Sequence, residues 1–152
     1  MAVSPVEFAE ARQAIEAINA EFAWLIDHRD GAGVESLFTH DGIYDMSNRV
    51  FRGRHQIKGF YDARKSRGRR AARHVFSNLH LTMEQPDRAT GTTILTLYAS
   101  DGEPPYPAQA TLIADYDDVY VRDETRRWHY ESRVIVPAFG AVPVLTKQAA
   151  QP

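Results

Sequence analysis

The chain of 152 residues contains no cysteine. That excludes a disulfide framework, a thiolate nucleophile and any cysteine-held metal centre. It fits a reducing cytoplasm, the compartment expected for this chain. Long apolar runs are missing too, and no segment approaches the roughly 20 apolar residues that span a bilayer. The opening residues, MAVSPVEFAEARQ, lack a basic start followed by an apolar stretch, so no secretory leader is expected. Neither sign of charge is in excess: the formal net charge is -2, which exerts no global pull on nucleic acid or anionic lipid. There is no GxSxG elbow, Walker loop or dinucleotide fingerprint. His28, His40, His55 and His129 are scattered and match neither HExxH nor another common metal spacing, so neither a metal nor an organic cofactor is expected.

What is present suits a single domain over residues 1–152, with a core over about 8–139 and a tail over 140–152. Ser4-Pro5-Val6-Glu7 reads as a helix start, with Ser4 as cap, Pro5 at the first helical position and Glu7 closing a capping box. Phe8, Ala11, Ile15, Ile18, Phe22, Leu25 and Ile26 then form one apolar face of a long helix, which Gly31 and Gly33 end. A short second helix is predicted over 34–38, a turn at Asp41-Gly42, a short strand over 43–46 and another turn at Asn48. A third helix is predicted over 54–65, followed by a strongly basic loop. The second half is rich in β formers, with strands predicted over 74–83, 90–99, 108–121 and 127–136. Asp123-Glu124-Thr125 reads as a hairpin turn, and the chain after Pro137 is expected to lie over the surface or hang free. Helices first and an antiparallel sheet afterwards predict an α+β fold, with helices on one face of a strongly curved sheet.

Two titratable groups stand out. Asp27 falls near the end of the long helix and His74 at the start of a strand. A carboxylate that orients an imidazole is a standard way to make a general base near neutral pH. The plainer alternative is a satisfied core histidine and a helix-end acid near solvent. Helical periodicity places Asp27 off the Phe8–Ile15–Phe22 stripe, on a flank with Ala20, Ala23 and Glu16. The alanines suggest close packing there, whereas Glu16 suggests a wet face. Phe76, Asn78 and His80 follow His74 at even spacings, so in a regular strand all would share its face, and a bulge would break that register. Trp24, Met46 and Tyr98 are further candidates for a cavity lining, or plain core residues. The basic run Arg64, Lys65, Arg67, Arg69, Arg70 and Arg73 is either a solvated loop or an anion site at a pocket mouth, for a phosphate or a coenzyme A tail. It lacks the stacking aromatics that would point to nucleic acid.

The ordered set Asp27-x-x-Asp30, Leu37-Phe38-x-x-Asp41, Gly53-Arg54-x-x-Ile57-x-x-Phe60, Arg73-His74-x-x-x-Asn78 and Trp128-x-x-x-x-Arg133 resembles the nuclear transport factor 2-like superfamily, in its polyketide-cyclase-like (SnoaL-like) branch. Scytalone dehydratase, the bile-acid dehydratases and the small subunits of aromatic-ring dioxygenases share that fold. The resemblance implies a cone-shaped barrel, in which a mostly antiparallel sheet curls around the long first helix and leaves a pocket with an open mouth. It implies His74 as general base and acid, Asp27 as the group that holds its tautomer, and Tyr44 as a phenol that polarises a carbonyl. Phe22 stands where active relatives often carry a tyrosine. Residues 92–100 lack the second histidine of scytalone dehydratase and leave Tyr98 as the nearest polar candidate. The implied function is a cofactor-free lyase or isomerase acting on a mostly apolar cyclic carbonyl or hydroxy compound, as a homodimer or homotrimer. The alternatives are the non-catalytic small subunit that partners a dioxygenase large subunit, or a ligand-binding module.

Overall fold

The first helix sets the axis of the molecule. In a computed structural model, which describes residues 2–140, α1 runs over Pro5–Arg29. The Ser4 side chain accepts from the Glu7 backbone and the Glu7 carboxylate accepts from the Ser4 N–H, closing the box read from the sequence. Asp30 ends the helix in the left-handed region, one residue before Gly31. The buried face is Ala11, Ile15, Ile18, Asn19, Phe22 and Ile26, and it lies against the sheet. No helix among the described residues is long and apolar enough to cross a membrane.

A 3-10 turn over Val34–Leu37 leads into β1, Phe38–Asp45. The expected helix over 34–38 is therefore one short turn, and the strand expected from residue 43 starts at Phe38. Asp41-Gly42 does not end the chain's extended course; it falls inside β1, where the pairing with the last strand shifts register. After β1 comes β2, Val50–Arg52, three residues to which the sequence assigns no element. Then follow α2 (Gly53–Lys65), β3 (Arg70–Gln85), β4 (Arg88–Asp101), β5 (Leu112–Arg122) and β6 (Trp128–Gly140). The six strands form one curved sheet in the order β2-β1-β6-β5-β4-β3, which does not close on itself. All neighbours are antiparallel except β1 and β6. Residues 137–140 continue β6 against β5 instead of hanging free, and the rest of the expected tail lies outside the described residues.

Two bulges decide which side chains face inward. In β3, Asn78 has φ 54 and the register against β4 shifts between Ser77 and His80. Up to Phe76 the even positions turn inward; from Leu79 on the odd ones do. In β6, Tyr120 pairs with Tyr130 and Val119 with Ser132, so Glu131 is the extra residue. Trp128 and Tyr130 face inward before it, and Arg133 and Ile135 after it. Without that insertion Arg133 would face solvent.

The β5–β6 hairpin closes on Asp123, whose carboxylate accepts from Thr125 N and Oγ1, Arg127 N and His129 Nε2. The Thr125 hydroxyl, the Arg127 N–H and His129 together hold this exposed carboxyl well below the usual range. A carboxyl lowered in the folded state contributes stability above its unfolded titration range, and that contribution fades as acid protonates the folded form. Asp123→Asn is therefore expected to lower the unfolding midpoint near neutral pH and to leave it unchanged in strong acid. Thermal melts of both proteins across the acid range check this.

Candidate active site

Asp27 lies in the last turn of α1 and His74 on the inward face of β3. Asp27 Oδ1 lies 2.6 Å from His74 Nδ1, and Oδ2 accepts the His74 backbone N–H at 2.8 Å. Both carboxylate oxygens are thus committed to one residue, which ties helix to strand and fixes the ring. The side chains are 6% and 10% exposed respectively. With Nδ1 engaged by the carboxylate, Nε2 is left without a protein partner among the described residues. That is the tautomer of a base whose lone pair is available to a ligand. Phe22 meets the imidazole edge-on at 6.4 Å.

His74 lines a cavity of about 330 Å³ inside the curve of the sheet. Its other walls carry three phenols: Tyr44 of β1, Tyr61 of α2 and Tyr116 of β5. The Tyr44 and Tyr116 hydroxyls are 3.2 Å apart, and Tyr61 is close enough to Tyr44 to act on it electrostatically. Burial pushes all three phenols up, so they stay protonated at neutral pH. Tyr44 and Tyr116 bring two protons to one mutual contact, so one O–H of the pair is uncommitted, and Tyr61 adds a third phenol to the same wall. Gly31, at φ 82, lies where a Cβ would enter the Tyr61 ring, so the glycine after α1 sets the depth of that wall. Ile26, Phe60, Leu95 and Leu112 supply apolar surface, and Met46 also lines the cavity.

Several other expected residues lie elsewhere. Trp24 is 54% exposed and stacks on His28 at 4.2 Å on the outer side of α1. Tyr98 is 38% exposed on the outer face of β4, opposite Arg73. Asn78 and His80 leave the His74 face because of the β3 bulge; Asn78 borders a second groove, between α1 and β3, that Asp27 and His74 also line, and His80 lies on the outer surface of the sheet. Phe22 is fully buried behind His74 and Tyr44 and does not face the cavity. Phe76 packs on Tyr116 at 5.5 Å and borders the same groove between α1 and β3. Among the described residues no group of three or more His, Asp or Glu side chains is placed to hold a metal ion.

Behind the phenols is a buried polar cluster that sequence reading missed. Arg133 is fully buried and forms a two-pronged pair with Asp118, Nε to Oδ1 and Nη2 to Oδ2, both at 2.8 Å. Asn19 Oδ1 accepts from Arg133 Nη2 and from the Tyr130 hydroxyl, and Tyr120 donates to Asp118 at 2.7 Å. The guanidinium carbon lies 4.1 Å from the Tyr130 ring centre, 4.2 Å from Tyr116 and 4.4 Å from Phe22. Burial alone would lower the arginine's proton affinity, but Asp118 and the surrounding phenols outweigh it, and the group is held charged. The available signals were Asn19 inside the apolar stripe of α1 and Asp118 in step with Tyr116 and Tyr120 on β5.

The sequence profile of the SnoaL-like domain matches residues 7–134. The chain belongs to the SnoaL-like domain family. No curated protein matches it in sequence. Among solved structures it is similar to a candidate scytalone dehydratase from Novosphingobium aromaticivorans, at 16% identity over 90% of this chain and 89% of the other, with a TM-score of 0.78. ActVI-ORFA from Streptomyces coelicolor matches at 20% identity over 86% and 98% of the two chains, TM-score 0.73. The beta subunit of a candidate aromatic-ring-hydroxylating dioxygenase, also from Novosphingobium aromaticivorans, matches at 14% identity over 90% and 95%, TM-score 0.77. At these identities the likeness is one of fold. The SnoaL-like fold thus accommodates both enzyme-type and subunit-type relatives, and the choice rests on this chain's own side chains.

Proposed function

We propose that this SnoaL-like protein is a cofactor-free lyase or isomerase that moves a proton next to a carbonyl on a mostly apolar cyclic substrate. The observation that carries the reading is the Asp27–His74 contact, with His74 on the wall of an apolar cavity. In this mechanism His74 Nε2 takes the proton from the carbon beside the carbonyl. An uncommitted phenol proton of the Tyr44–Tyr61–Tyr116 set hydrogen-bonds the carbonyl oxygen as it gains negative charge. The imidazolium then gives its proton to a hydroxyl leaving the adjacent carbon, and the products are an enone and water. Returning the proton to a different carbon would give an isomer instead. Apolar walls exclude water that would otherwise compete for His74. Exposed Val136 and Phe139 at the end of β6 favour self-association as a homodimer or homotrimer, which light scattering on the purified chain would read directly.

Proton NMR in deuterium oxide with a panel of cyclic ketones and β-hydroxy ketones tests the reading. The expected result is deuterium uptake beside the carbonyl, or loss of water, well above an imidazole control. No exchange on any member, with a stable complex formed only beside a dioxygenase large subunit, would favour the subunit reading instead. Tyr44→Phe removes one donor from the phenol set and is expected to lower kcat by roughly 10²-fold, the scale of losing one oxyanion donor. Steady-state rates with an unchanged melting temperature check this.

A further inference from the structure

The mouth of the cavity carries more positive charge than the carboxylates around it neutralise. Arg64, Arg67, Arg69 and Arg70 line it beside a single acid, Asp101. Asp101 takes Arg70 at 3.1 Å, and Arg69 turns to Glu103 at 2.7 Å. Arg64 and Arg67 have no ion-pair partner among the described residues. Arg64 is half-buried in the last turn of α2, and burial together with the charge of Arg70 holds its guanidinium below the usual arginine range. Asp30 and Asp101 act on Arg64 only from beyond ion-pair distance, and a partly desolvated cation without a close partner is costly; an anion lodged between it and Arg70 relieves both the desolvation and the repulsion between the two guanidinium groups.

We propose that this rim binds the anionic group of an amphipathic substrate, a ring compound whose apolar body fills the cavity while its carboxylate or phosphate rests between Arg64 and Arg70. The inference deepens the reading above, because it takes the same cavity as the substrate site. The strand supplies a length as well. Arg70, Ala72 and His74 all line the cavity from one face of β3. At about 3.3 Å per residue, the first and last are roughly 13 Å apart along the strand. Allowing for the reach of the arginine, the anion and the carbon that loses its proton are separated by roughly 10 Å. A small monocyclic ketone is too short to span that distance; a two-ring body or one ring with a side chain is long enough.

Calorimetric binding of 4-(2-naphthyl)butyrate, its methyl ester and 2-naphthyl phosphate to the full chain tests the proposal. An anion is expected to bind about tenfold more tightly than the ester. That advantage should shrink as salt is added. Arg64→Gln and Arg70→Gln should each cost the anion about tenfold and leave the ester unaffected. Arg88→Gln, on the pair with Glu131 away from the mouth, should change neither. Whichever of the butyrate and the phosphate binds more tightly identifies the anion the rim was built for. Equal binding of acid and ester, or no binding of any probe, overturns the proposal, as does an unchanged anion affinity in the Arg64→Gln/Arg70→Gln double variant. The readout needs no turnover and is repeated in His74→Ala, so a retained anion preference in a protein without catalytic activity would separate failure of the mechanism from failure of the rim.

Discussion

His74→Ala is expected to lower turnover by roughly 10²- to 10⁴-fold, the range over which a positioned general base contributes. Asp27→Asn should cost nearly as much, for a reason specific to this geometry. One carboxylate oxygen accepts the His74 backbone N–H, which can only donate. The asparagine carbonyl must therefore face that N–H, and its NH₂ is left facing Nδ1. An NH₂ there forces Nδ1 to accept, so the ring proton moves to Nε2 and the lone pair disappears from the nitrogen free of protein partners. The amide variant would fold, with the backbone tie intact, and carry the wrong tautomer. Nitrogen NMR of the His74 ring reads the tautomer, and steady-state kinetics read the loss. Full activity in both variants, at unchanged melting temperature, would remove the dyad from the chemistry.

How far the sequence exposes this site depends on the kind of signal. The Ser4–Glu7 box and the α1 stripe are local and were legible, because capping and helical period are written in neighbouring residues. The approach of Asp27 to His74 spans 47 residues and was carried only by the family resemblance; period alone put Asp27 on a flank shared with Glu16. The placements that failed share a cause. A bulge adds one residue without altering the apolar–polar alternation enough to announce itself, and everything beyond it changes face. That is why Asn78 and His80 leave the pocket, and why Arg133 enters the core although Trp128 and Tyr130 sit at even spacing before it. Trp24 and Tyr98 failed differently: each was read as lining on residue type, while its own element turns it outward.

Arg133→Met should be the most destabilising single substitution in the chain, at about 3–5 kcal/mol, because it leaves Asp118 ionised and buried without its partner. In a domain of this size that corresponds to a fall of roughly 10 °C or more in Tm. The loss is not confined to one pair. Asn19 would keep its bond from Tyr130 but lose the guanidinium, and the rings of Phe22, Tyr116 and Tyr130 would lose the cation they surround. Methionine fills much of the volume, so the cost reports the stranded charge more than a cavity. Pairing it with Asp118→Leu removes that charge, and the double variant should recover a large part of the stability while Tyr120 keeps only its longer bond to Asn19 Oδ1, at 3.4 Å. Urea denaturation of the two single variants and the double variant closes the cycle. A cost below about 1 kcal/mol for Arg133→Met would mean that the ion pair does not hold the core. The result bears on catalysis as well, because Tyr116 and Phe22 stand between Arg133 and the Tyr44–His74 face of the cavity. A loosened cluster lets those rings move. The variant should then lose turnover even where it is folded, with the Asp27–His74 contact untouched.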